Sequence, residues 1–210
     1  MANANVGFGL KPINTAGSTP ATQGTNTYFI DSGASAIFQG SPVIATNGGE
    51  IAVASSASGD TLKFVGVFAG CEYVSSATGK KVFSNYWPGS GADTNFDIVG
   101  FVYDNPMQRF IVCSDATLTN KATAIAAIFE GAEFSAESGK GAANGSTTTG
   151  ISAAQLDVST VDASDLSHPL KIVGILDDPE NADFTAAGIP LIVMINNHAL
   201  LAGSAEATVA

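Results

Sequence analysis

The stretch FDIVGFVYDNPMQRFIVC, residues 96–113, decides how this chain is read. In its first half Phe96, Ile98 and Val102 fall on one side of an extended backbone, and Val99, Phe101 and Tyr103 on the other. Apolar side chains on both faces need cover on both, as in the inner part of a barrel, a sandwich or an interface. Asp104-Asn105-Pro106-Met107 then interrupts the run before a second strand, QRFIVC. The Asn-Pro step biases the chain out of helix, so the spacing predicts a four-residue hairpin connection.

The same pattern extends outward in both directions. Short runs of Ile, Val and Phe punctuated by Gly and Pro occupy TYFID (27–31), AIFQGSPVIATNGGEIAVASS (36–56), TLKFVGVFAGCEYV (61–74) and KKVFSNYW (80–87). Downstream, PLKIVGILDD (169–178) and IPLIVMINN (189–197) repeat it, after a short amphipathic piece, ISAAQLDVST (151–160). Glycine sits mid-strand in FVGVF, IVGFV and IVGIL, at Gly66, Gly100 and Gly174. Mid-strand glycine marks a bulge, a bend or a close backbone approach, and three of them suit a small curved barrel. The expectation is a mainly β chain, a compact barrel or sandwich forming one domain over residues 27–210. One helix is expected near 119–130: Thr119 caps it, Ala122, Ile125, Ala126 and Phe129 share a face, and Gly131 closes it. Residues 135–150, rich in Gly, Ser and Thr, read as a flexible surface loop, and 1–26 as an extended N-terminal arm ordered against a partner.

Composition narrows the function. Nineteen acids against eight bases leave a net charge of −11, with a single arginine, Arg109. Phosphate-binding proteins collect cations, so nucleic acid is not an expected partner, and neither is an anionic membrane. No secretory signal or membrane-length apolar run is visible, so synthesis in a cytoplasm is expected. In that setting Cys71 and Cys113 read as buried free thiols rather than a disulfide. Charged residues make up only 13% of the chain, against about 25% in ordinary soluble domains. A surface so sparsely charged is weakly protected against association, which suggests that part of it is interface.

A search for chemistry yields little. His168 and His198 lack partners at metal-ligand spacing and read as loop residues. ESGKGAANGST has Phe134 where a phosphate loop needs its first glycine, and Gly141 where it needs Ser or Thr. Asp177, Asp178, Glu180 and Asp183 form either a solvated turn begun by Asp-Pro or an oxygen-rich cradle for Ca²⁺, though without EF-hand order. The chain therefore reads as a non-enzyme without a cofactor. Tyr86-Trp87-Pro88 is either a packed corner or subunit contact, or an aromatic platform for a ligand.

The order of the blocks resembles a family. MANANVGFGLKPI, FQGSPV, VGVFAGCEYV, VFSNYWPGS, IVGFVYDNPMQRFIV, NGSTTTGISAAQLD, LKIVGILDDPEN and VMINNHAL follow one another as similar blocks do in capsid decoration, or cement, proteins of tailed bacteriophages. The alanine-rich piece TNKATAIAAIFEGAEFSAESGKG has no match in that set, and Lys11 stands where arginine is more familiar. The resemblance implies a virion structural protein on the outer capsid surface, made in a host bacterium's cytoplasm. It implies binding to the major capsid protein at junctions between capsomers, as a homotrimer, against the pressure of packaged DNA. Phe8, Leu10, Pro12 and Ile13 of the arm, with Tyr86, Trp87 and Pro88, are the candidate interface. The alternative is a tail or head-fibre module binding a host glycan. A glycan hydrolase and a major shell protein are the weaker rivals: the only clustered carboxylates lie in one turn, and the chain is short and helix-poor for a shell.

Overall fold

The computed structural model describes residues 3–4, 6–17, 24–54, 63–164, 167–176 and 178–201. The chain is mainly β, with twelve strands and one short helix in the described residues. In chain order the strands are β1 (Lys11–Thr15), β2 (Asn26–Ile30), β3 (Pro42–Ala45), β4 (Ile51–Val53), β5 (Phe64–Val74), β6 (Lys81–Ser84), β7 (Ile98–Tyr103), β8 (Gln108–Cys113), β9 (Gly131–Phe134), β10 (Leu156–Asp162), β11 (Leu170–Ile175) and β12 (Pro190–Ile195). The helix, α1, spans Lys121–Ala126.

Two six-stranded sheets divide them, one in the order β3-β4-β2-β7-β5-β6 and the other β1-β8-β12-β11-β9-β10. In the first, β3 also pairs with β5, so β3, β4, β2, β7 and β5 close into a ring with β6 appended. The curvature expected from mid-strand glycine is visible there. A Cβ on Gly66 would stand 2.2 Å from the carbonyl oxygen of Tyr103, and one on Gly100 would meet Ile30, Ile51 and Phe68 at 3.0–3.1 Å inside the ring. Gly174 sits at an irregularity in the β11–β12 register, a bulge rather than a close approach.

Alternation along the strands builds two cores. Inside the ring lie Ile30, Val43, Ile51, Val65, Phe68, Ile98 and Val102, closed by Ile37 and Trp87. The opposite sides of β3 and β5 send Ile44, Phe64 and Val67 outward against the second sheet, where they meet Phe110, Val112, Leu170, Ile172, Leu191 and Val193. Each such buried side chain contributes about 1.5–3 kcal/mol.

Four expectations change. The turn at 104–107 is not a hairpin: β7 and β8 belong to different sheets, and the turn carries the chain between them. Asp104 is held back on the ring side, accepting from Asn26 Nδ2 at 2.8 and 3.0 Å and from Tyr28 Oη at 2.6 Å. The helix is capped by Asn120, whose Oδ1 accepts from Thr123 N, and it buries Ala124 with Ala127 just past its end. Ile125 and Phe129 point into solvent, and Gly131 opens β9 rather than closing the helix. The segment 135–150 is tied down: Lys140 Nζ donates to Asp115 O, Gln155 N donates to Lys140 O, and Ala142 is buried.

The fourth change concerns the arm. Its described residues are laid against the chain's own body. Asn3 Nδ2 donates to Asp183 O and Ala187 O, Leu10 N donates to Gly40 O, and β1 pairs antiparallel with β8. Gly7 and Gly9 permit the approach, since a Cβ on either would lie 2.2 Å from Ala153 O or 2.5 Å from Gly40 O. Leu10 is 1% exposed in the intersheet core.

Candidate binding surfaces

The candidate interface residues separate into two groups. Leu10 and Trp87 are buried in the chain's own cores, 1% and 0% exposed, so neither offers a surface to a partner. Trp87 exchanges backbone hydrogen bonds with Ile37, donates Nε1–H to Ala34 O at 3.1 Å, and meets Tyr73 edge-on at 5.4 Å. It is a packed corner and presents no ring face to a sugar. Tyr86 is half-buried, stacked on Phe38 at 5.7 Å, with Pro88 half-buried beside it. Phe8, Pro12 and Ile13 are half-buried along the strap, and Phe8 and Pro12 line a mainly apolar groove of about 670 Å³ with Val6, Ile111 and Leu176.

The titratable groups serve structure. Burial pushes the Cys71 thiol up to about 12 and that of Cys113 to about 11, and both are free, buried and poor nucleophiles. Burial, then the hydrogen bond to Asp104, raises Tyr28 to about 12. His198 is buried rather than in an open loop; desolvation lowers its pKa while the Asp104 carboxylate opposes that shift. His168 is also buried, 3.5 Å from Glu133. In the acidic turn, Asp178 accepts from Glu180 N and Asn181 Nδ2, and Asp183 accepts from Thr185 N and Oγ1. Both carboxylates thus brace their own turn; Asp177 lies outside the described residues. Among the described residues no group of three or more metal-binding side chains comes together.

Surfaces that sequence reasoning missed lie elsewhere. On the outer wall of the ring, Phe29, Val99, Glu72 and Phe83 are successive cross-strand neighbours on β2, β7, β5 and β6. Phe29 is 54% and Phe83 70% exposed, and Lys81 bridges to Glu72 at 2.8 Å within the row. Phe96, assigned to a buried face by alternation, precedes its strand and is exposed. Ile125 and Phe129 are also exposed, Phe129 at a φ of 78°, unusual for a non-glycine residue. Period-two alternation marks Phe83 as facing opposite Val82, but it does not say which side is wet.

No family model matches this chain, and no curated protein or solved structure shows significant similarity to it.

Proposed function

We propose that this chain is a structural protein of a tailed-phage virion, decorating and stabilising the outer capsid surface by bridging capsomers as a homotrimer. The observation that carries this reading is the set of large apolar side chains held in solvent on a sparsely charged protein. Phe29, Phe83 and Phe96 on the ring side, and Ile125 and Phe129 beside the helix, are each more than half exposed. Large apolar side chains left in solvent, two of them in one cross-strand row, are what a partner covers in an assembly. The ordered blocks that resemble cement proteins name the assembly, with the major capsid protein and further copies of this chain as partners. A net charge of −11 suits the outside of a shell better than its DNA-facing interior. Three linked copies would bind through three contacts at once, so that modest affinities multiply into long residence.

Quantitative mass spectrometry of purified virions tests this reading. A ratio near one chain per major capsid subunit is the expected result. A few copies per particle would shift the protein to a tail or fibre, and its absence from virions would end the proposal.

A further inference from the structure

The outer face of the second sheet carries a charge pattern at odds with the rest of the molecule. Alternation sends Arg109 and Ile111 of β8, and Ile192 and Met194 of β12, to the side away from the core. The register places Arg109 beside Met194, and Met194 beside Lys171 of β11. It also places Lys11 of β1 beside Ile111, and Ile111 beside Ile192. Three of the chain's eight bases therefore ring a small apolar centre on one sheet face, in a protein with nineteen acids. No carboxylate stands within that set; the row continues from Lys171 through Gly131 of β9 to Asp162 of β10, Glu133 stands two residues along β9, and Asp178 lines the groove at the Lys11 end.

These cations are also unspent. Lys81 and Lys140 pair with Glu72 and Glu137, but Lys11, Arg109 and Lys171 make no ion pair among the described residues. The Nε of Arg109 is buried and has no hydrogen-bond partner. A guanidinium partly removed from water with a donor unmatched is unfavourable on its own. The buried Nε stays out of reach of a partner, but a carboxylate brought to the Nη end of the guanidinium would be held by charge-assisted hydrogen bonds. Arginine set among apolar side chains is also the composition of interface hot spots. Pro12 removes a backbone donor from the edge strand β1, which argues against strand addition there and for contact through the face.

We infer that this face is a docking surface for an acidic protein segment that presents carboxylates flanked by apolar side chains. The naming of the partner as the capsid shell rests on the proposed function; the recognition chemistry does not. In that role the second sheet meets the shell, leaving the aromatic row on the ring wall for contacts between copies.

The test uses the full chain, shells assembled from the major capsid protein without it, and an acetylated peptide alternating glutamate with leucine. Wild type should bind shells, and the double reversal Arg109→Glu with Lys171→Glu should bind about 100-fold more weakly, with steep salt dependence lost. Lys121→Glu, on the helix, should bind like wild type. Far-UV circular dichroism and melting show whether the double variant is folded, and Arg109→Gln with Lys171→Gln replaces it if it is not. Equal shell binding by wild type and the folded variant overturns the docking face and leaves the decoration role standing. If wild type ignores shells, the decoration role falls, and the peptide decides the face. Amide chemical shifts that move in β1, β8, β11 and β12 and are abolished by the double variant sustain the inference; no shifts at millimolar peptide overturn it.

Discussion

The two cores of this protein are assembled by opposite means. Every buried residue described in the ring core comes from the segment 30–102, with Tyr28, Ala143 and Ala199 packed against it, and closure of β3 onto β5 seals it. The intersheet core draws on Leu10, Phe64, Phe110, Leu118, Phe134, Leu156, Ile172 and Leu191, spread across most of the described chain. One is local in sequence and closed by hydrogen bonds; the other is assembled from distant segments and closed by packing. Yet they are not separate. Strand β5 gives Val65 and Phe68 to the ring and Phe64 and Val67 to the sheet interface, and β3 divides Val43 from Ile44 in the same way. A strand shared between two cores couples them, so the contrast is one of origin and not of stability.

The seam of the ring is where that contrast is easiest to break. Gly66 pairs with Val43 across the closing β3–β5 contact, and a Cβ there meets backbone, which cannot swing aside. Gly66→Val is expected to cost more than about 4 kcal/mol and to yield little folded protein. Soluble yield and the denaturant midpoint measure it. Near-normal stability would mean that β5 does not pass β7 as closely as described.

Coupling between the cores predicts a smaller effect with a sharper reading. Phe110 is 1% exposed in the intersheet core, whereas Trp87, the sole tryptophan, reports from the ring. Phe110→Ala should destabilise the protein by about 3–5 kcal/mol. The loss should appear equally in Trp87 fluorescence and in far-UV circular dichroism. If fluorescence keeps its wild-type midpoint while the dichroism shifts, the ring is an independent folding unit and the shared strands do not bind the two together.

The same contrast explains what could be read in the sequence. Strands of the ring and of β8, β11 and β12 announce themselves by β-branched runs between Gly and Pro, because burial on a pleated face imposes that pattern. The partner of each strand is not written locally: Asp104–Met107 looks like a hairpin turn, but β8 pairs in the other sheet while Asn26 and Tyr28 grip Asp104 on the ring side. The helix turns a different face inward from the one its larger apolar residues mark: Ala124 and Ala127 are buried while Ala122, Ile125 and Ala126 are exposed, and Phe129 lies past its end at Ala126. That the arm lies on its own chain rather than on a partner is not legible, because it binds through the Asn3 amide, backbone bonds and glycines at close approach, none of which makes an apolar period. Gly7 and Gly9 are the legible signal of that close approach. The basic face was illegible for a simpler reason: Lys11, Arg109 and Lys171 are far apart in the chain, and register alone brings them together.

The smallest effect concerns the place where the ring receives the far end of the described chain. Phe64 N donates to Asn197 O and Ala199 N donates to Phe64 O, which lays His198 against the start of β5. His198 Nδ1 accepts from Leu200 N, so the neutral ring carries its proton on Nε2, which is buried without an acceptor. Charging the imidazole would put a second proton on Nδ1, already facing a donor, and would place the charge in a desolvated site that the Asp104 carboxylate relieves only in part. The folded-state pKa is lowered, so below about pH 6.5 the unfolded chain binds a proton that the native chain refuses. This contribution is fully present above that pH and is lost as pH falls through the window down to the folded value, at up to about 1.4 kcal/mol per pH unit. His198→Asn keeps an acceptor for Leu200 N and cannot titrate. Denaturation at pH 7 and at pH 5 should therefore find the stability gap between wild type and variant narrower at pH 5. Parallel pH profiles would mean that water reaches His198, and that the junction between the ring and this segment is looser than the buried imidazole implies.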